Sequence, residues 1–370
     1  MTTETIEMSD DQVVAMDLFD DWYAHGGGGS NEFMLGGLAG TGKTTMIRNV
    51  LNVVDCAECE VITPTAKAAS VLMSKGIKAK TSHSLLCNFE HEITKGDRIV
   101  PVFSDKGISR KVIICDEASM VTQEMREKIL SAAELVVWVG DYGQLPPVEP
   151  GRRGAAVKDG ILTEDGLDAK LTTQHRHGDA LEIIKFAGFL RDGGKPEKYS
   201  TASSQVTVNR HGIRGVKKVC EWALGEGVFP LICYTNAMIA RLNDKVRKIQ
   251  GCESSRTVYP GLKLKCTFNS YRHNVWNGEL FEVADCGKMI GDTAFVTDTD
   301  GRKFPVTFSR ENKAGAVRVD DGYAITCHNS QGSEWRRIAV IEDLPADRRW
   351  RYTGATRAQN FVDYFTKGSV

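Results

Sequence analysis

Gly37-Leu38-Ala39-Gly40-Thr41-Gly42-Lys43-Thr44 has the spacing G-x-x-x-x-G-K-[ST], between a short apolar run and a helix-forming one. Glycines at these places let backbone N–H groups curl around phosphate oxygens, and the start of a helix adds a favourable dipole. Lys43 is then placed to reach the β- and γ-phosphates of a nucleotide, and the Thr44 hydroxyl to ligate Mg²⁺. A second group follows the apolar run Val112-Ile113-Ile114-Cys115, which ends in Asp116-Glu117. Ligands gather at the carboxyl ends of parallel strands. There Asp116 can hold Mg²⁺, and Glu117 can orient an attacking water or take its proton. Alone, this acid pair could simply cap a helix at Ala118–Ser119; the phosphate loop upstream favours the chemical role. A third group, Gly140-Asp141-Tyr142-Gly143-Gln144-Leu145-Pro146-Pro147, also follows an apolar run. Gln144 could sense a γ-phosphate or position water; by itself the segment would read as a turn with a proline stop.

The elements that must hold these groups read as alternating strands and helices. Ser9-Asp10-Asp11-Gln12 is a capping box, predicting a helix with Val14, Leu18 and Trp22 on one face. Strands are expected at Phe33–Leu35, Glu60–Thr63, Val112–Cys115 and Leu135–Val139. Helices are expected at Thr44–Val54, Ala66–Ser74 and Thr122–Ala132. This alternation argues for a parallel sheet covered on both faces. Residues 88–110 break the rhythm: Lys95-Gly96-Asp97 separates two β-prone runs, Phe89–Ile93 and Arg98–Phe103, and predicts an inserted hairpin. A second alternation is expected from residue 151, with a strand at Leu231–Thr235, a helix at Asn236–Ile249, and strands at Tyr323–Cys327, Arg337–Ile341 and Val362–Phe365. Between its parts, 255–321 has β-branched runs and turn signals at Asn277-Gly278 and Thr299-Asp300-Gly301, and predicts a small all-β insert.

Composition narrows the class. The chain has 370 residues, Lys+Arg 47 against Asp+Glu 48, and 41% hydrophobic residues. That length and apolar content suit two or three folded domains rather than a disordered chain. The apolar runs are too short to span a bilayer. MTTETIEMSDD has neither a basic region nor an apolar core, so no signal peptide and a cytoplasmic location are expected. Ten cysteines in such a chain do not make a disulfide framework. Cys56 and Cys59 have C-x-x-C spacing but no second pair at finger spacing, so two unligated thiols are expected. A net charge of −1 excludes a globally basic nucleic-acid binder, so any such binding must use local patches, backbone amides and stacking. One such patch runs from Arg241 to Val275, with eight Lys/Arg against two Asp/Glu; Phe268 and Tyr271 there could stack on bases. Arg348, Arg349 and Arg351 surround Trp350, as a DNA contact or as ordinary surface stacked on an indole.

The order GLAGTGKTT (37–45), TPTAKAA (63–69), CDEAS (115–119), GDYGQLPP (140–147), QHR (174–176), YTN (234–236), ITCHNSQGSE (325–334) and TGATRAQ (353–359) resembles the motif series of superfamily 1 helicases. It is most similar to the RecD-like, 5′-to-3′ branch, including small phage helicases of the Dda type. The resemblance covers nearly the whole chain and implies an α/β fold of two RecA-like parallel-sheet P-loop domains. The first would be 1–150, carrying the hairpin of 88–110 as a wedge. The second would be 151–254 with 322–370, interrupted by an SH3-like β insert at 255–321.

The resemblance also implies roles. ATP would be held between the two domains by Gln12, Gly37, Leu38, Ala39, Gly40, Thr41, Gly42, Lys43, Thr44, Thr45, Gly332 and Glu334. Gln12 would recognise adenine, although closing the capping box is an equally physical role for it. Mg²⁺ would sit on Thr44 and Asp116. The catalytic set would be Lys43, Thr44, Asp116, Glu117 and Gln144, with Arg176 and Arg357 as arginine fingers. DNA would meet Pro64, Thr65, His83, Asn236, Thr326, His328 and Ser330. Hydroxyls and amides of that kind touch phosphate and sugar without reading sequence. The expected partners are single-stranded DNA and single-/double-strand junctions, with replication or recombination proteins, no membrane, and a monomeric state. The implied activity is ATP-dependent 5′-to-3′ DNA unwinding. The alternatives are a single-strand translocase that clears proteins, or a DNA-dependent clamp or loader that uses hydrolysis to reset its grip.

Overall fold

The computed structural model describes residues 8–54, 57–95, 98–105, 107–147, 160–175, 180–209, 216–225, 230–252, 257–270, 272–309 and 315–366, the backbone alone over 88–105. The chain forms two compact units, Met1–His177 and Gly178–Val370.

The first unit runs α1 (Asp10–Ala24), β1 (Glu32–Gly37), α2 (Lys43–Val53), β2 (Cys59–Thr63), α3 (Ala66–Ser74), β3 (Ala79–Thr81), α4 (Ser82–Leu86), β4 (Cys87–Lys95), β5 (Arg98–Asp105), β6 (Arg110–Cys115), α5 (Gln123–Ser131), β7 (Ala133–Gly140) and β8 (Ala169–Leu171). Six strands make one parallel sheet in the order β3-β2-β6-β7-β1-β8. Its centre is continuous apolar chain: Val112–Cys115 and Val136–Val139 are each at most 1% exposed, as strands covered on both faces must be. Strands β4 and β5 form the separate antiparallel hairpin, with Lys95 opposite Arg98 at its narrow end.

Two expectations need correction here. The first unit does not stop at 150: β8 joins its sheet, with Leu35 opposite Ala169 and Gly37 opposite Leu171. A three-residue strand carries no readable alternation, so only the pairing reveals it. The buried face of α1 also does not include Val14 and Leu18, which are 55% and 45% exposed. Ala15, Met16 and Phe19 face the core instead, with Trp22 half-buried beside them. The Phe19 ring meets the edge of Phe33 at 5.7 Å. The helix is held in this rotation at its start, where Asp11 accepts from the Thr172 and Thr173 amides at 2.6 and 2.7 Å.

The second unit runs α6 (Ala180–Arg191), β9 (Val206–Asn209), α7 (Val216–Leu224), β10 (Leu231–Cys233), α8 (Asn236–Ile249), β11 (Lys263–Cys266), β12 (Leu280–Cys286), β13 (Thr293–Asp298), β14 (Lys303–Thr307), β15 (Val317–Asp321), β16 (Ala324–Thr326), α9 (Cys327–Ser330), β17 (Trp335–Ile341), α10 (Arg348–Ala355) and β18 (Ala358–Phe365). Its sheet is parallel throughout, in the order β16-β10-β17-β18-β9. Helix α8 has the expected bounds, and Met238, Leu242 and Val246 make its buried stripe. Strands β11–β15 close into a barrel, the β insert expected from the turn signals. Ion pairs anchor it to α8: the buried Arg247 guanidinium grips Asp321 at 2.5 Å at the end of β15. Cys327 opens helix α9 rather than ending a strand, because Thr326 caps that helix by accepting from the Asn329 amide.

The described cysteines are free thiols. Burial pushes the Cys115 and Cys233 thiols well above their usual range, as expected of small hydrophobes. Cys59 lies in β2, and Cys56 lies outside the described residues. Among the described residues, no three His, Cys, Asp or Glu side chains cluster as metal ligands, and no helix is long and apolar enough to cross a membrane.

Candidate functional site

The phosphate loop links β1 to α2. Gly40 and Gly42 have φ of 84° and 83°, the left-handed region that favours glycine. A Cβ on Gly37 would come within 2.4 Å of the Thr41 hydroxyl, and one on Gly42 within 2.3 Å of the Gln12 amide nitrogen. The loop is thus a tight cradle. Lys43 Nζ donates to the Gly37 and Leu38 carbonyls at 2.8 and 2.9 Å, which holds the ammonium inside the curl. Thr44 and Thr45 lie on the first turn of α2.

Residues distant in sequence brace this loop. Gln12 is buried; its Oε1 accepts from the Ser9 amide at 3.1 Å, and its Nε2 lies 3.5 Å from the Thr41 carbonyl. It therefore closes the helix cap and touches the loop at once. Gln174 donates to the Ala39 carbonyl at 2.8 Å, and the His175 amide to Gly40 at 3.0 Å. Asp11 ties this segment to α1. Burial opposes its charge, but bonds from the Ser9 hydroxyl and from Thr172 and Thr173 outweigh that and hold its carboxyl well below the usual range. Sequence reasoning singled out neither Asp11 nor Gln174. The QHR block was their one signal, and it pointed to Arg176, which lies outside the described residues.

Strands β6 and β7 lie beside β1 in the sheet order β6-β7-β1, so their carboxyl ends flank the loop. Burial pushes the Asp116 carboxyl above the ordinary aspartate range, against the Glu117 amide and the Lys43 ammonium, which pull it down. Glu117 has φ of 55°, one of two described non-glycine residues in the left-handed region. Strain of this kind collects at functional sites. Gly140 brings β7 close enough that a Cβ there would lie 3.1 Å from the Ala118 amide. Gln144, four residues on, is 6% exposed. Its Oε1 and the Ser119 hydroxyl are buried atoms to which no described protein group bonds. The cradle, the ammonium, the Thr44 hydroxyl, the buried Asp116 carboxyl and the Gln144 amide make a donor set that fits Mg²⁺ and a nucleotide triphosphate.

The motif threonines cap helices at strand ends. Thr65 accepts from the Ala68 amide at the start of α3, Thr235 from Met238 at α8, and Thr326 from Asn329 at α9. Pro64 and Thr65 are half-buried, and Asn236 is exposed on the first turn of α8. His83, on α4, has its basicity lowered by burial and by Lys128, with Glu124 opposing. His328 is likewise lowered by burial, against Asp347, and its Nε2 is buried without a described partner. Ser330 is a correction: it is fully buried, and its hydroxyl donates to the Cys327 carbonyl at 2.6 Å, so it offers no surface to a strand of DNA. Gly332 has φ of 70°, and Glu334 is exposed.

Arg357 is buried and donates to the Thr353 carbonyl, the Ser333 carbonyl and the Thr356 hydroxyl at 3.1, 3.3 and 3.0 Å. No carboxylate among the described residues pairs with it. The cluster around Trp350 resolves differently. Trp350 is buried, edge-on to Tyr234, and Arg351 is bound to Glu342 at 2.6 Å. Phe268 is 43% exposed under the Arg318 guanidinium, 5.1 Å from the ring centre. Tyr271 and the side chains of Phe89 and Phe103 lie outside the described residues.

A parallel sheet with a phosphate loop after β1 and acids after β6 defines a P-loop ATPase domain, followed here by a second parallel-sheet unit. Residues 28–212, half of the chain, match the family model described as AAA domain, and 321–362 match the UvrD-like helicase C-terminal domain. The chain belongs to this AAA-domain family, and with its C-terminal match it is similar to the superfamily 1 helicases related to RecD, Pif1 and Dda. It is 27% identical to the ATP-dependent RecD2 DNA helicase of Deinococcus radiodurans over 362 residues, 91% of this chain and 47% of that one. It is 28% identical to the ATP-dependent DNA helicase dda of Enterobacteria phage T4 over 192 residues, 49% of this chain and 41% of that one. It thus spans under half the length of these relatives. In fold it is similar to Pif1 helicase from Bacteroides in complex with ADP-AlF3 and single-stranded DNA, with a TM-score of 0.59, 17% identity, and 97% and 92% of the two chains covered. Pif1 helicase from Candida albicans aligns with a TM-score of 0.56 at 18% identity, covering 98% and 94%.

Proposed function

We propose that this chain is an ATP- and Mg²⁺-dependent DNA helicase that moves 5′ to 3′ on single strands and separates duplex. The observation that carries the ATPase reading is the convergence in one sheet of the Lys43 loop, Asp116-Glu117 and Gln144. Lys43 and the loop amides bind the β- and γ-phosphates. Glu117 takes a proton from the attacking water. Mg²⁺ on Thr44 and Asp116 would neutralise charge on the phosphates. Arg357, a buried cation bonded among the described residues to neutral oxygens, is assigned to the charge of the transferring phosphoryl group, with Arg176 beside it in role. Gln12 is assigned to adenine, and Gly332 and Glu334 to the ribose side. Pro64, Thr65, His83, Asn236, Thr326 and His328 are assigned to the sugar-phosphate backbone of single-stranded DNA. The direction of travel rests on the kinship with the RecD-like branch.

The test is ATP-dependent strand separation of one duplex carrying either a 5′ or a 3′ single-stranded tail. Unwinding of the 5′-tailed substrate alone is expected. Unwinding of the 3′-tailed one alone would leave a helicase of opposite polarity. Unwinding of neither, with ATP hydrolysis still stimulated by single strands, would replace this reading by the translocase or clamp.

A further inference from the structure

The barrel β11–β15 joins the second unit through an entry and an exit connection, and α8 grips both. On the exit side, Asn243 Nδ2 donates to the Asp321 carbonyl at 3.1 Å, and its Oδ1 accepts from the Ala324 amide at 2.9 Å. One side chain thus bridges the end of β15 to the start of β16. One turn further along the helix, Arg247 reaches both sides. Its Nε donates to the two Asp321 carboxylate oxygens at 2.7 and 2.8 Å, and its Nη1 to the Thr257 carbonyl, on the entry side, at 2.9 Å. Gln250, just past the helix, repeats this with neutral groups. Its Oε1 accepts from the Tyr259 hydroxyl on the entry side at 2.5 Å and from the Tyr323 hydroxyl on the exit side at 2.9 Å. The two connections also touch each other. The Gly322 amide donates to the Lys263 carbonyl at 2.8 Å, and a Cβ on Gly322 would lie 2.6 Å from the Leu264 carbonyl carbon.

A hinged domain has a core of its own and a linker that few contacts cross. Here the core is shared: Leu242 and Val246 of α8 belong to one buried apolar cluster with Leu264, Val283 and Val319 of the barrel. Arg247 is 2% exposed, with the Tyr259 and Phe308 rings 5.9 and 5.4 Å from its guanidinium carbon. Swinging the barrel would pull a buried cation off its carboxylate and open apolar surface to water, and both are costly. We propose that the barrel is a rigid extension of α8, locked by a clasp of Asn243, Arg247 and Gln250, so that any displacement of the second unit reaches the barrel in full. Phe268, an exposed ring suited to stacking on a base, is then held at a fixed offset from Asn236 at the start of the same helix. The use of this rigidity in unwinding rests on the helicase reading above; the rigidity itself does not.

Spin labels carried on non-natural amino acids at Lys245, exposed on α8, and at Asp300, exposed in the turn between β13 and β14, test this. Their separation is measured by electron–electron resonance in the free chain, with a thymidine oligonucleotide, and with that oligonucleotide plus ADP and aluminium fluoride. One narrow distance, constant within about 2 Å across the three states, is expected. A shift of about 5 Å or more, or a second population, would overturn the rigid barrel. Arg247→Ala should broaden the distribution and lower strand separation per ATP hydrolysed by about tenfold, with DNA-stimulated hydrolysis within about threefold of wild type. A distribution as narrow as wild type in that variant would overturn the clasp, and unchanged separation per ATP with a loosened barrel would overturn the transmission. Should Arg247→Ala not fold, Gln250→Ala, which opens only the tyrosine contacts, is read in the same way. Absence of DNA-stimulated hydrolysis in the wild type would instead sink the helicase reading, while the label distance still decides whether the barrel is rigid.

Discussion

Strands β6 and β17 occupy the same place in their sheets. β6 lies in the run β3-β2-β6-β7, and β17 in the run β16-β10-β17-β18. The last four residues of each are apolar and buried, and each strand is followed by two acids: Asp116-Glu117 after β6, Glu342-Asp343 after β17. The two pairs have opposite fates. Glu342 is buried and saturated: Arg351 grips it, the Tyr364 hydroxyl donates at 2.8 Å and the Ala346 amide at 3.2 Å. Asp343 takes the Tyr234 and Thr235 amides and the Thr235 hydroxyl. These acids are spent on holding the second unit together. At the end of β6, burial keeps the Asp116 carboxyl high and the Glu117 backbone is in the left-handed region. The same local pattern yields a brace in one unit and a candidate catalytic pair in the other: Arg351 and Tyr364 bind Glu342, whereas the loop ammonium of Lys43 is set against Asp116.

That contrast can be broken by substitution. The largest expected effect is on turnover and is confined to the first unit: Lys43→Ala or Glu117→Gln should lower DNA-stimulated ATP hydrolysis by roughly 10²-fold or more. Normal hydrolysis in Glu117→Gln would mean the β6 acids are structural after all, and in Lys43→Ala that the loop is not a phosphate site. Next, Glu342→Gln should cost about 2 kcal/mol in urea unfolding, by leaving the half-buried Arg351 without its counter-charge; a stability equal to wild type would remove the distinction. Smallest is Asp116→Asn, expected to raise stability slightly at neutral pH. The sign follows from burial: with its pKa raised in the folded state, the charged carboxyl opposes folding once the unfolded chain ionises. The gain should therefore vanish below about pH 4. Destabilisation at pH 7, followed by thermal melting, would place Asp116 with Glu342 as a brace.

The comparison extends to the capping threonines. Thr65 after β2 and Thr235 after β10 are equivalent in placement and each caps the following helix. A cap alone accounts for about 1 kcal/mol. Sequence could not tell a cap from a DNA contact at these positions; the fold shows the cap, each hydroxyl accepting from the first turn of its helix.

The sequence by itself determined the phosphate loop, the parallel alternation of the first half, the hairpin, the β insert and helix 236–249. These are local: glycine spacing, apolar runs and turn residues act within a few neighbours along the chain. It did not show that the first sheet needed β8 as its edge, that α1 turns Phe19 rather than Val14 and Leu18 inward, or that Ser330 is fully buried. Nor did it separate Asp116 from Glu342. Those outcomes depend on which distant side chain arrives beside a group, and a carboxylate becomes reactive or inert according to whether an arginine such as Arg351 is folded against it. Only the tertiary structure decides that, because burial and hydrogen bonding are set by the whole packing and not by the neighbours in sequence.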